Sequence, residues 1–147
     1  MGILCRLWGF TQSFIVYPDV LFILKSHVPN EKGELEEVQR LFFVEIDMNT
    51  EAHTVIKEKI TGFSLYKEQN IFRKWGKFDS FFVLIQTTTP ERAKNIRHHL
   101  TSVDGTKLVW VSDAETIKKQ GILDPVWINY KLEMRVIAQK KQSDTNL

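Results

Sequence analysis

The chain has 147 residues, 43% of them hydrophobic and 26% charged, with 20 basic against 18 acidic side chains and a net charge of +2. Those proportions describe one ordinary globular domain with a core of its own and exclude a fibrous or disordered chain. They also exclude a globally basic nucleic-acid binder, so any DNA contact has to come from local clustering.

A single cysteine, Cys5, cannot close an internal disulfide, which fits a reducing cytoplasm. No His or Asn constellation accompanies it, so a catalytic thiol is not expected. Residues 1–16 are apolar, but Arg6, Gln12 and Ser13 interrupt the run and no small-residue cleavage pattern follows. No stretch approaches the roughly 20 apolar residues of a membrane span. The segment reads as buried structure, and the expectation is a cytoplasmic protein without a membrane partner.

Residues 13–25 are rich in β-branched and aromatic side chains and read as one strand, or two broken at Pro18-Asp19. Residues 26–37 are polar, with Pro29, Asn30 and Gly33, and read as a connecting loop. Residues 39–47 read as a second strand, antiparallel to the first. Asn49-Thr50 then offers an N-cap, with Glu51 in the first helical turn. Ala52, Ile56, Lys59, Ile60 and Phe63 recur at helical spacing, which predicts a helix from 51 to at least 67. Helical character extends toward Lys74 and ends at Gly76. Residues 80–86 are a continuous apolar run, as in a strand buried on both faces. Thr88 or Thr89 caps a helix that opens on Pro90 and runs to Leu100. Asp104-Gly105 is a turn, residues 107–112 are a strand, and Asp113 caps a short helix to Gln120. Strand–helix–strand units favour parallel pairing with right-handed crossovers, while the first antiparallel pair makes the sheet mixed. The fold expected is therefore α/β, a mixed central sheet flanked by helices. It forms one domain over 1–135, followed by a polar tail over 136–147 that frays.

Three acids stand out: Asp19, Glu45 and Asp47. Strand side chains alternate, so Glu45 and Asp47 share a face with Phe43, opposite Phe42, Val44 and Ile46. Two carboxylates on one side of an apolar strand are costly unless compensated. One compensator is a hard divalent cation, Mg²⁺ or Mn²⁺, with Asp19 of the preceding strand as a third ligand. The plainer alternative is that the acids sit at an exposed strand end. Glu51, Val55 and Lys59 are spaced by four and share one helical stripe, which lets Lys59 reach the acids. Lys59 could equally be a surface lysine paired with Glu51 or Glu58.

Lys67, Arg73, Lys74 and Lys77, interleaved with Phe72, Trp75 and Phe78, form a candidate DNA-facing patch, and Arg92, Lys94, Arg97, His98 and His99 could extend it. The alternative is a solvated helix face. His98 and His99 diverge by roughly 100° on a helix, so a shared zinc ion is not expected. Trp110 and Trp127 read as core.

The run from Phe42 through Glu45, Asp47 and Thr50-Glu51, followed by Lys59, resembles the central signature of the replication-relaxation family of bacterial plasmid proteins. Tyr17-Pro18-Asp19 resembles that family's Pro-Asp element. Phe81 to Gln86 with Thr89-Pro90-Glu91-Arg92 is similar to its next strand and helix start. Leu108-Val109-Trp110-Val111 and Asp124-Pro125-Val126-Trp127 resemble its closing segment. The family is similar to the PD-(D/E)xK nucleases, so the resemblance implies a restriction-endonuclease-like core that acts on plasmid DNA during replication, relaxation or mobilisation. Asp19, Glu45 and Asp47 would hold Mg²⁺ or Mn²⁺, Lys59 would serve the attacking water, and Thr50 and Glu51 would stand behind them. Replication or relaxosome proteins would be partners, and self-association is left open. Asp47 departs from the pattern, standing where the strand lysine would be. Either Lys59 replaces that lysine from the helix, or the site is inactive and the protein is a DNA-binding accessory. Such proteins usually begin with a winged-helix domain and a core helix. Only about 14 residues precede the Pro-Asp strand here, so the expectation is a truncated relative or a stand-alone core.

Overall fold

The computed structural model describes residues 3–6 and 13–138, with side chains from Tyr17 onward. Two short strands, β1 (Ile3–Arg6) and β2 (Ser13–Val16), pair antiparallel as a separate ribbon. The expectation that residues 1–16 are buried concerns side chains outside the described residues. The main sheet has six strands: β3 (Val20–Pro29), β4 (Leu35–Ile46), β5 (Phe81–Thr87), β6 (Val109–Asp113), β7 (Trp127–Ile128) and β8 (Met134–Arg135), in that spatial order. β4, β5 and β6 run parallel; the other neighbours are antiparallel, so the sheet is mixed. The helices are α1 (His53–Glu68), α2 (Pro90–Leu100) and α3 (Ala114–Gln120). Among the described residues no helix is long and apolar enough to cross a membrane.

Alternation along the central strands builds two cores. Leu41 and Phe43 of β4, Val83 and Ile85 of β5, and Val109 and Val111 of β6 point to one face. Ile56, Ile60 and Phe63 of α1 and Ala93, Ile96 and Leu100 of α2 cover it. Right-handed crossovers between successive parallel strands put both helices on that side. Phe42, Leu84 and Trp110 point to the other face, where Ile117 of α3, Trp127 and Ile137 meet them. Trp110 and Trp127 are buried, as their apolar surroundings in the sequence suggested.

Three differences from the sequence reading have local causes. The segment read as a loop over 26–37 is mostly strand. Its polar side chains lie on a half-exposed hairpin arm. The turn itself closes on Asn30, whose side-chain oxygen accepts from the backbone N–H groups of Lys32 and Glu34, both at 2.9 Å. Asn49-Thr50 does not cap α1. The N-cap position is Ala52, without a side-chain cap, because Asn49 takes a left-handed φ of 64° and Glu51 is drawn away toward other partners. Beyond Glu68 the helix stops at Asn70, also left-handed, before a 3₁₀ turn over Ile71–Trp75 that ends at Gly76. Thr89 and Asp113 do cap α2 and α3, accepting from the N–H groups of Arg92 and Thr116. The short strands β7 and β8 carry too few residues to show a period.

Gly105 precedes β6 at φ +92°, and a Cβ there would lie 2.8 Å from the Ile60 carbonyl oxygen of α1. Gly33, at φ +78°, faces open space. Gly105→Ala is expected to lower unfolding free energy by about 3 kcal/mol, strain and collision together. Gly33→Ala should cost about 1 kcal/mol, from the left-handed backbone alone. Urea midpoints of the two variants check this ordering; equal losses would show that α1 does not press on the 105 turn.

Candidate functional site: buried acids at the carboxyl end of the parallel strands

β4 delivers Glu45 and Asp47 from its carboxyl end into the layer occupied by α1 and α2. The two are 5% and 3% exposed. An exposed strand end therefore does not describe them; each carboxylate had to find a partner inside the protein. The partners come from the two helices, and they differ.

Glu45 meets Lys59. The Lys59 ammonium donates to one Glu45 carboxylate oxygen at 2.9 Å and to Glu51 at 2.8 Å. The second Glu45 oxygen, Oε1, is buried and makes no hydrogen bond among the described residues. Burial pushes the Glu45 carboxyl up to about 7, against the pull of Lys59, and the nearby Asp19 and Glu51 add to the rise. Lys59 is shared between two carboxylates, so it cannot fully satisfy Glu45. Burial opposes the charge on Lys59 as well, but bonds to Glu51 and Glu45 outweigh it and hold its pKa above the usual lysine value.

Asp47 is bound differently. One of its oxygens accepts from the Thr87 hydroxyl at 2.8 Å and from Arg92 Nε at 2.9 Å; the other accepts from Arg92 Nη2 at 3.3 Å. Arg92 Nη2 also donates to the Glu51 carbonyl at 2.7 Å. Burial alone would raise the Asp47 pKa, but the bonds from Arg92 and Thr87 overcome it and hold the carboxyl below its ordinary range.

Asp19 lies where β3 begins. Val20 opposes Val44 in the register, which sets Asp19 opposite Glu45. Its N–H donates to the Val44 carbonyl, and its carboxylate accepts from the Ile46 N–H at 2.7 Å. Asp19 thus continues the ladder past the last pair, and its other carboxylate oxygen has no hydrogen bond among the described residues.

The sequence-selected residues sort accordingly. Asp19, Glu45, Glu51 and Lys59 come together, and Asp47 stands beside them on its own clamp. Thr50 is exposed and takes no part in the hydrogen bonding. Arg92, read as a candidate DNA contact, is turned inward with its side chain 12% exposed. Lys67 lies two turns along α1 from Lys59, about 12 Å by helical rise, so Lys67, Arg73, Lys74 and Lys77 sit toward the other end of the sheet. Two aromatics of that expected patch, Phe72 and Phe78, are core residues, and the Trp75 indole donates to the Tyr66 hydroxyl at 2.8 Å. Arg97 is half-buried on α2.

Sequence reasoning missed Thr87 and His53. Thr87 ends an apolar strand and gives no separate signal. His53 stacks on His99, ring centroids 3.8 Å apart, with its Nε2 3.4 Å from Arg92 Nη1 and its Nδ1 buried without a partner among the described residues. Burial, His99 and Arg92 all depress its pKa. Only the crossover from β5 into α2 brings His99 to it, and no sequence spacing encodes that approach.

Among the described residues no group of three or more His, Cys, Asp or Glu side chains is arranged to hold a metal ion. Comparison with known proteins adds no further constraint: no family model, no curated protein and no solved structure matches the chain.

Two outcomes follow for stability. Folded Glu45 holds its proton up to about pH 7 against 4.5 ordinarily, so its contribution is whole below about pH 4.5 and is lost as pH rises through 7. Unfolding free energy should fall over that window by on the order of 3 kcal/mol relative to Glu45→Gln, which should flatten the curve. Matching pH profiles for the two proteins would refute the raised pKa. Arg92→Ala leaves Asp47 buried without its cation and should cost about 3–5 kcal/mol in thermal or urea unfolding. A loss below about 0.5 kcal/mol, typical of a surface site, would return Arg92 to the surface.

Proposed function

We propose that this is a DNA-associated protein with a restriction-endonuclease-like core, and that Asp19, Glu45 and Lys59 form a phosphodiester-processing site. Its setting would be the cytoplasmic handling of plasmid DNA, in replication, relaxation or mobilisation. The observation that carries the reading is the state of Glu45: a buried carboxylate, half-satisfied by a lysine, facing a second carboxylate across the β3–β4 pair. The β3–β4 pair carries Asp19 and Glu45, and the helix that follows carries Lys59.

The donor set fits a divalent cation to the extent of two ligands. The Glu45 oxygen without a partner and the uncommitted Asp19 oxygen would hold Mg²⁺ or Mn²⁺, and one or two carboxylates suffice for an ion that keeps several waters. Bound there, the ion would supply an activated water and a counter-charge for the phosphoryl oxygens. Asp47 is not needed as a ligand in this reading; with Arg92 it fixes the ends of β4 and α1. Lys59, already shared between Glu45 and Glu51, orients a water or takes a phosphate oxygen. Glu51 holds Lys59 in place.

A second reading has its own support. The Lys59 ammonium already lies against Glu45, and Asp47 is fully engaged with Arg92 and Thr87. A site closed on itself in this way fits a DNA-binding accessory protein that keeps the fold without cleaving.

Supercoiled plasmid incubated with the protein and Mn²⁺ distinguishes the two. The proposal expects nicked circles, a reaction rate that rises with pH through about 7 as Glu45 ionises, and a loss of at least about 100-fold in Glu45→Gln and Asp19→Asn. Nicking that survives both substitutions would come from a contaminant and would remove the site from this cluster. Plasmid retardation without cleavage, with Mn²⁺ failing to bind in calorimetry, would leave the accessory role.

A further inference from the structure

The net charge of the chain is nearly balanced, with 20 bases and 18 acids, yet one edge of the sheet is not. Two cavities, of about 440 Å³ and 490 Å³, open on either side of the turn that joins β7 to β8, and both are lined by Asn129 and Tyr130. The first lies between α2 and β6 and carries Lys94, Arg97 and His98. The second lies across the opposite sheet face and carries Arg40, Lys107 and Arg135. Six basic residues thus surround one turn, and no Asp or Glu is among the described residues that line either cavity. Arg135 is paired with Glu133. Arg40, Lys94 and Lys107 make no ion pair among the described residues. The Arg97 Nε is buried without a hydrogen-bond partner among the described residues, a cost that an anion on the same guanidinium would offset.

Between the two sets of cations the turn presents apolar surface. Tyr130, Leu132 and Met134 are 43%, 74% and 69% exposed, and Leu132 holds a left-handed φ of 62° that lifts it outward. The Asn129 side-chain oxygen accepts from the N–H groups of Lys131 and Glu133 at 3.0 and 2.9 Å, which makes the turn a fixed feature. Behind it Phe82 and Trp110 pack against each other with tilted rings, 4.4 Å between centroids, and form the aromatic wall of the second cavity.

Cations on both flanks of an exposed apolar ridge that carries a tyrosine suit a single strand. Phosphates follow the charges, and unpaired bases lie on the rings. A duplex keeps its bases stacked internally and gains nothing from the ridge. We propose that single-stranded nucleic acid crosses the β7–β8 turn, with a base on Tyr130 and phosphates on Lys94 and Arg97 at one side and on Arg40 and Lys107 at the other. This surface shares no residue with the Asp19–Glu45–Lys59 cluster, so it deepens the DNA reading above while standing or failing separately from it.

Anisotropy of a fluorescein-labelled oligothymidylate, measured in EDTA over a range of salt, tests the proposal on the full chain. The wild type should bind the oligonucleotide more tightly than a duplex of equal length. Lys94 and Lys107 are exposed, so Lys94→Ala with Lys107→Ala should fold; it should weaken binding by about tenfold or more and reduce the salt slope by roughly 1.4, or about 0.7 per lost phosphate contact. Tyr130→Ala should weaken binding by at least about fivefold and leave the slope unchanged. Glu45→Gln should bind as wild type does, so loss of nicking and loss of binding are separate outcomes. Equal affinity for duplex, an unaltered Tyr130→Ala, or a double variant with the wild-type salt slope would each overturn the single-strand assignment. Circular dichroism melts of the variants guard against unfolding.

Discussion

Glu45 and Asp47 leave the same side of β4, two residues apart, and enter a layer that is otherwise hydrocarbon. Unpaired, each charge would cost more there than the surrounding apolar packing returns. The arrangement of the carboxyl end of the sheet follows from that constraint. α1 has to lie close enough for Lys59 to arrive, α2 has to start close enough for Arg92 to arrive, and the connection from β4 to α1 has to swing Glu51 inward so that its carbonyl and carboxylate receive the two cations. The uncapped start of α1 at Ala52 follows from that demand. A favourable Asn or Thr cap would hold Glu51 in the helix and away from Lys59 and Arg92.

The two acids are resolved in opposite senses. Asp47 has a planar, two-nitrogen partner and a hydroxyl, so it remains ionised and tightly held. Glu45 has a fraction of one ammonium, and its remaining oxygen has no partner among the described residues. Neighbouring carboxylates whose environments push their pKa values apart are a signature of division of labour. Here the division separates a rigid clamp from a responsive group. The clamp ties β4, β5 and α2 together; the responsive group changes charge near neutrality and sits beside Asp19. A purely structural cluster has no need of the second kind of residue, since a Gln at 45 would pack in the same volume and keep a hydrogen-bonding capacity at lower cost.

Elements with a full period or a strong cap were legible in the sequence. α2 was bounded by Thr89, Pro90 and Leu100, α3 by Asp113 and Gln120, and the apolar run at residues 80–86 gave β5 to within one residue. Glu45, Asp47 and Lys59 were legible for the same reason: alternation put the acids on one face, and helical spacing put the lysine opposite. Where the reading failed, a polar exterior concealed regular structure, as in the β3–β4 hairpin arm, or a side chain was spoken for by a distant element. Arg92 looks in sequence like any basic residue in a helix first turn. That it belongs to Asp47 depends on β5 lying between β4 and β6 and on the crossover that returns α2 over β5. Phe72 and Phe78 failed similarly, since spacing among basic residues says nothing about which aromatics the sheet will cover.

The basic edge around Tyr130 was illegible for a different reason. Its cations come from β4, α2, the turn before β6, and β8, and no window of sequence contains more than a few of them. Composition reported balance because acids elsewhere cancel them. Glu31, Glu34, Glu36 and Glu37 lie on the β3–β4 hairpin, where Lys25, Lys32 and Arg40 stand among them. The sheet thus separates two sets of side chains that the sequence interleaves: a buried acid cluster under α1 and α2, and basic residues on either side of the β7–β8 turn.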